Sequence, residues 1–411
     1  MLNWVNRFSI FCFLDNLEYN FSPPAFECML AADCKKRIEV GAVGAFGELK
    51  NFYHNEKGEW LFGHLGFGLN NVSAETGAVA IDGIGFSDLH FFIPGIVLQL
   101  YRTEVIIYCA QDALAVYEEI LTYPDGITPT RPEGVTVNQR ISKDEYIDII
   151  KKLQKHILRG DCYEINFCQE FFAEGINIEP LALYNKLIAV SPNPFSAYYK
   201  VGDKYCICAS PERYLKKRGN RISSEPIKGT SKRDLSNAVN DEASKQYLLQ
   251  SEKERSENVM VVDLVRNDLS RVCVPGTVEV EELFGLYSFP QVHQMISTVS
   301  GEMKAGLDWV DCIEATFPMG SMTGAPKKRV LELIAQFEKT KRGLFSGAVG
   351  YADPSGDFDF NVVIRTMLYN KSAGYLSFQT GSGITFYSEA EEEYNECLLK
   401  AEAMLGILNL R

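Results

Sequence analysis

Up to about residue 138 the apolar positions fall in short runs cut by glycine, as in GEWLFGHLGFGLNN (58–71) and TEVIIYCA (103–110). That texture predicts β-strands joined by tight turns and little helix. The stretch TYPDGITPTRPEG (122–134) gathers prolines, glycine and aspartate and reads as a loop. Beyond it the period changes. Ser142-Lys143-Asp144-Glu145 has the form of a capping box, and Tyr146, Ile149, Ile150, Leu153 and Ile157 follow at helical spacing before Gly160, so an amphipathic helix is expected. FSAYYKV (195–201), YCICAS (205–210) and RISSEP (221–226) read as strands, and about 238–262 as a long charged helical region. DFDFNVVIRTML (357–368) and GYLSFQTGSGITFY (374–387) read as strands, and 388–408 as a terminal helix with Tyr394, Leu398, Ala401 and Leu405 on one side. The expected organisation is a β-rich part, 1–138, integrated with a mixed part, 139–411, without internal repeats.

Composition narrows the class. A hydrophobic fraction of 46% with 12% aromatics excludes a disordered chain, and 411 residues can bury a large core. The formal charge of -13 would repel nucleic acid and anionic membranes, so neither is expected as a partner, and an acidic substrate would need a local cationic pocket. The 11 cysteines are scattered; neither Cys162/Cys168 nor Cys206-x-Cys208 has C-x-x-C spacing, which points to reduced, buried thiols of a cytoplasmic protein. The start, MLNWVNRFSIFCFLDN, lacks a basic segment followed by an unbroken apolar one, so no secretion signal is expected. The apolar run 91–100 contains Pro94 and Gly95 and is far shorter than the roughly 20 residues of a spanning helix.

Several residues could carry chemistry. SSEPIKGT (223–230) holds Lys228 between Pro226 and Gly229, where a flexible cation either faces a ligand or simply solvent. Glu254 and Glu257 are three apart, as are Glu393 and Glu396, so each pair projects from one helix face. Two such pairs facing each other would offer oxygen ligands to a hard cation, Mg²⁺ above all, which takes one or two carboxylates and keeps waters. Either pair alone reads first as a solvated helix face. Lys400 follows Glu396 by four residues, giving an ordinary helix salt bridge or an anion contact. TGSGI (380–384) is expected after a strand, its glycines letting backbone N–H groups approach an anion. Arg365, at the expected end of the strand NVVIRT, suits bidentate carboxylate recognition or a solvent-facing end. FPMGSMTGAPKKR (317–329) forms a donor-rich loop ahead of a helix.

GDCYEINFCQ, ASPERYL, PIKGT, EKERSENVMVVDLVRNDL, FPMGSMTGAPKKR, GAVGYADPSGDFDFNVVIRT and GSGITFYSEAEEEYNECLLKA together resemble the chorismate-utilising enzymes, in that family's order from about residue 141 to the end. The resemblance implies an α+β fold of two packed β-sheets with helices outside, the site lying between the sheets. Within the family, lysine in Pro-Ile-Lys-Gly-Thr resembles the branch that aminates chorismate at C4 on the way to para-aminobenzoate; the anthranilate-forming branch usually carries alanine there. It further implies that Lys228 attacks C2, that Glu212 protonates the departing C4 hydroxyl, and that ammonia from a separate glutaminase subunit adds at C4. Glu257 and Glu396 would ligate Mg²⁺, with Glu254 and Glu393 holding its waters. Arg365, Tyr351, the backbone of Gly381 and Gly383, and Lys400 would hold carboxylates, while Thr230, Thr323 and Gln294 would line the pocket. A tryptophan in the N-terminal part belongs to the same set of expectations. Lys228 would have to be neutral at attack, and Glu212 protonated near neutrality.

Two positions depart from the family pattern. The glutamine of its G-D-x-Y-Q motif is Glu164 here, and the isochorismate synthases use lysine there to activate water, so that chemistry is not expected; Glu164 itself has no assigned role. The histidine associated with pyruvate elimination aligns with Gln294, while His293 stands one place earlier. A glutamine cannot shuttle protons as imidazole does, which fits an enzyme that stops before elimination. The rival readings are an anthranilate-forming subunit and a catalytically inactive scaffold of the same family.

Overall fold

The computed structural model describes residues 1–19, 26–70, 80–124 and 135–409. Most of the loop expected at 122–134, from residue 125 on, lies outside them. The named strands pair antiparallel in one continuous path that folds into two sheets. In the first, Ile10–Asp15 pairs with Phe195–Val201, followed by Lys204–Ser210, Thr366–Asn370, Tyr375–Ile384 and Glu164–Ala173. In the second, Leu61–Leu65 is followed by Ala348–Ala352, Phe358–Asn361, Arg213–Arg218, Arg221–Glu225 and Val292–Glu302. The long strands Cys28–Val40 and Leu89–Leu100 pair with each other and join the two sheets.

Period-two alternation assigns the faces. Ile10 and Cys12 belong to one apolar core with Phe62, Phe91 and Phe360 of the second sheet, while Phe11 and Phe13 belong to another with the helices Lys143–Leu158, Pro180–Val190 and Ala390–Asn409. The architecture is therefore α+β, two packed sheets with helices outside. Strands from before residue 138 pair directly with later ones, Ile10–Asp15 with Phe195–Val201 and Leu61–Leu65 with Ala348–Ala352.

The helix at Lys143–Leu158 starts on Ser142, whose side chain accepts from the Glu145 N–H, and buries Tyr146, Ile149, Ile150 and Leu153, each such burial contributing about 1.5–3 kcal/mol. The reciprocal half of the expected capping box is missing because the Glu145 carboxylate pairs with Lys339. Four other expectations are corrected. The helices Ala45–Asn55 and Ala113–Thr122 interrupt the β-rich part, the first entered through Gly44 at φ +72° with no side-chain cap to announce it. The charged helical region expected at 238–262 divides at Ser251 and runs ten residues further, as the helices Ala238–Gln250 and Glu252–Val272, the second capped by the Ser251 side chain. The strand of 357–368 breaks between Asn361 and Thr366, and Arg365 sits in the break at φ +52°. TGSGI is no turn after a strand: Gly381 and Gly383 lie within Tyr375–Ile384, opposite Cys168 and Asn166.

Candidate active site

A cleft of about 980 Å³ opens between the strands Ile227–Lys232 and Tyr375–Ile384 and the helices Glu252–Val272 and Ala390–Asn409. Lys228, Glu212, Thr230, Gln294, Arg365, Gly381, Gly383 and Lys400 line it, with Glu254, Glu257 and Glu396. One residue outside that lining, Glu164, which sequence reasoning left without a role, is in contact with Lys228.

Lys228 is carried by a strand that closes on the helix Glu252–Val272. Gly229 makes that approach tolerable: it has φ +95°, and a Cβ there would stand 3.1 Å from Glu254 Oε2. The Lys228 ammonium then lies 2.7 Å from Glu164 Oε1, an ion pair in which Glu164 is almost wholly buried. Gly383 leaves room for it, since a Cβ would fall 2.5 Å from Glu164 Oε1 and 3.0 Å from Lys228 Nζ. Burial pulls the lysine pKa down, but the carboxylates of Glu164, Glu257 and Glu396 more than offset it and hold the group above the ordinary lysine range. Lys228 is thus an ammonium in the ligand-free cleft.

Glu212 is 4% exposed, and burial pushes its carboxyl up to about 7, against the opposing pull of the Ser321 hydroxyl, the Lys228 ammonium and the Ile227 N–H. A carboxyl so placed is half protonated near neutrality and suits a general acid. Arg365 is half-buried, its guanidinium donates to the Lys400 carbonyl at 3.4 Å, and among the described residues it has no carboxylate partner. Four of its five donors therefore remain for a ligand anion. Lys400 is committed: it donates to the Gly381 carbonyl at 2.8 Å and pairs with Glu396 at 2.7 Å.

The four glutamates come from the two helices that flank the cleft. Burial raises the pKa of Glu257 to about 7 and, with Glu396, that of Glu254 above its ordinary value; at Glu396 burial is outweighed by Lys400 and the pKa falls. Glu257 Oε1 and Glu393 Oε2 are buried without a hydrogen-bond partner, and Lys253 stands 3.4 Å from Glu393 Oε1. Among the described residues no three His, Cys, Asp or Glu side chains are gathered tightly enough to form a finished metal cage. Orphaned buried carboxylate oxygens nonetheless fit a divalent cation that keeps several waters.

Three of the expected residues do not line the cleft, Thr323, Tyr351 and Glu393, the last of them buried beside Lys253. Thr323 is fully buried, its hydroxyl donating to the Met319 and Gly320 carbonyls at 3.1 and 3.3 Å. Tyr351 accepts from Arg218 at 3.1 Å, stacks on Phe62, and lines a separate cavity of about 70 Å³ with Asp15, Phe26 and Arg213. Ser321, from the donor-rich loop 317–329, lines the cleft, as do Phe345 and Asn166, which were missed because each lies among apolar residues whose pattern reads as core. The register also separates Gln294 from His293. Gln294 stands opposite Thr230 and lines the cleft, its Oε1 buried and unpartnered, whereas His293 turns to Asp241 at 3.1 Å and Ser288 at 2.8 Å.

Two twisted antiparallel sheets with a deep cleft, an unpaired guanidinium, a protonatable buried carboxyl and facing carboxylate pairs define an enzyme-like site for a small anionic substrate. The chain matches the chorismate binding enzyme family over residues 23–406 and belongs to it. It is similar to aminodeoxychorismate synthase component 1 of Bacillus subtilis (strain 168), 38% identical over 66% of this chain and 56% of that protein. The protein of the same name from Klebsiella aerogenes is 37% identical over 74% of this chain and 66% of that protein. The chain thus spans between half and two thirds of the length of these relatives. Among solved structures, anthranilate synthase component I from Streptococcus pneumoniae TIGR4 superposes with a TM-score of 0.80 at 27% identity, covering 94% of this chain and 93% of that one.

Proposed function

We propose that the chain aminates chorismate at C4 to give 4-amino-4-deoxychorismate, with ammonia supplied by a separate glutaminase subunit. The observation that carries the reading is that Lys228 and Glu212 line one cleft, a lysine nucleophile beside a carboxyl raised to about 7. Neutral Lys228 attacks C2 while Glu212 gives its proton to the C4 hydroxyl, which leaves as water. An amine on C2 blocks ammonia there and returns the reactive end of the allylic system to C4, where ammonia adds and expels the lysine. Arg365 holds a substrate carboxylate through its open donors. Gln294, in place of an imidazole, leaves no proton shuttle for pyruvate elimination at that position.

Glu257 and Glu396, with Glu254 and Glu393 around them, would hold Mg²⁺, which when bound supplies positive charge to grip a substrate carboxylate. The small cavity that Leu14, Asp15, Asn16 and Phe26 of the N-terminal part form with Tyr351 is where a bound tryptophan would be sought. All 11 cysteines are free, nine of them buried, which supports a reducing compartment such as the cytoplasm. No helix among the described residues is long and apolar enough to cross a membrane.

The test is Lys228→Ala. C4 amination is expected to fall at least about 100-fold with chorismate still bound, and retained amination would sink the covalent route.

A further inference from the structure

We propose that Glu164 is the residue that takes the proton from Lys228, a proton acceptor in contact with Nζ that converts a buried ammonium into the attacking amine. The inference rests on the reading of Lys228 as the nucleophile. That reading demands a neutral amine, whereas in the ligand-free cleft Lys228 is ion-paired with Glu164 at 2.7 Å. Something inside the site must relieve it of its proton.

The charged and titratable groups facing Lys228 are Glu164 from the strand Glu164–Ala173, Glu254 and Glu257 from the helix Glu252–Val272, Glu396 from the helix Ala390–Asn409, and Glu212. Glu212 must keep its own proton for the leaving hydroxyl. The three helix glutamates belong to the carboxylate set around the cation. Glu164 is in hydrogen-bond contact with Nζ, at 2.7 Å, and outside both groups. Its position is also built: Ala325 pairs with it across the ladder, and the absent Cβ of Gly383 makes the space its carboxylate and the lysine occupy.

Substrate filling the cleft displaces the water that stabilises both charges, and a neutral amine beside a neutral carboxylic acid then becomes the less costly partition of the single shared proton. The Glu164 carboxylate becomes a neutral acid. Nζ keeps its electron pair and forms the bond to C2, the C4–O bond breaks, and the Glu212 proton completes the departing water. Ammonia then bonds to C4, the C2–N bond breaks, and Nζ leaves with its pair as a neutral amine. The extra proton on the new amino group returns to Glu212, and that on Glu164 returns to Nζ when water re-enters.

Transfer within a pair is independent of pH, whereas loss to solvent is not. Amination of chorismate would be measured for the full chain from pH 6.5 to 8.5 with Mg²⁺, at constant free ammonia. Glu164→Gln is expected to be slower by about 100-fold at pH 7. Its rate relative to the unaltered chain should climb about tenfold per pH unit, because Lys228 must then discharge its proton to solvent. Taking the ratio cancels the titration of Glu212. Glu164→Asp, which keeps an acceptor, is expected to give a ratio flat in pH, and it decides the matter if the glutamine variant does not fold. A glutamine ratio that is flat, or an aspartate ratio that climbs, overturns the role of Glu164. Lys228→Ala assayed alongside separates the two ideas: amination retained there removes the covalent reading itself, while amination lost there with a flat glutamine ratio removes only Glu164.

Discussion

Glu212→Gln should stabilise the fold while disabling the chemistry, and the size of the gain follows from burial. The carboxyl is raised from 4.5 to about 7 in the folded chain. Its stability contribution is therefore intact below pH 4.5 and is lost as pH rises towards 7, because the folded state must hold a buried group that the unfolded chain ionises freely. The difference of about 2.5 units corresponds to roughly 3 kcal/mol at pH 8. Glutamine keeps the shape yet carries no charge to bury. For a chain of 411 residues, with unfolding entropy near 2 cal/mol/K per residue, that is a rise in Tm of roughly 4 °C at pH 8. Thermal unfolding of both forms at pH 5 and pH 8 checks it. The gain should be confined to the higher pH; an equal shift at both, or a loss at pH 8, would refute the argument that burial sets this carboxyl's pKa.

Arg365→Lys should raise the KM for chorismate by about 10- to 100-fold in steady-state assays, since a point charge cannot replace the planar donors, and an unchanged KM would remove Arg365 from substrate binding. Thr323→Val should leave that KM within about twofold while costing about 1–2 kcal/mol in denaturant unfolding, because the hydroxyl serves the Met319 and Gly320 carbonyls and not the cleft. Glu257→Gln should weaken the Mg²⁺ concentration dependence of the rate by at least about tenfold, and an identical titration curve would count against that ligand.

Much of this was legible in the chain, for reasons that can be named. The helix Lys143–Leu158 announces itself through Ser142 and a clean apolar stripe, and strands such as Phe195–Val201 through dense aromatic and β-branched residues. Ala45–Asn55 escaped because it opens on a left-handed glycine instead of a capping side chain. The break before Thr366 escaped because Val362, Val363 and Ile364 are apolar, and apolarity does not distinguish a strand from a buried turn. At the site, motif residues pointed to Lys228, Glu212, Arg365, Glu254, Glu257 and Glu396, which line one cleft, but also to Tyr351, Thr323 and Glu393, which do not line it. The Lys228–Glu164 contact spans 64 positions and depends on a missing Cβ at Gly383, a long-range coincidence that no local pattern encodes.

The central claim is C4 amination, and the product decides it most directly. The purified chain would be incubated with chorismate, Mg²⁺ and an ammonium salt at mildly alkaline pH, with and without an added aminodeoxychorismate lyase, and the products separated by chromatography. A product that becomes para-aminobenzoate only when the lyase is present is the predicted result. Anthranilate formed without the lyase would contradict it and transfer the chain to the C2-aminating branch.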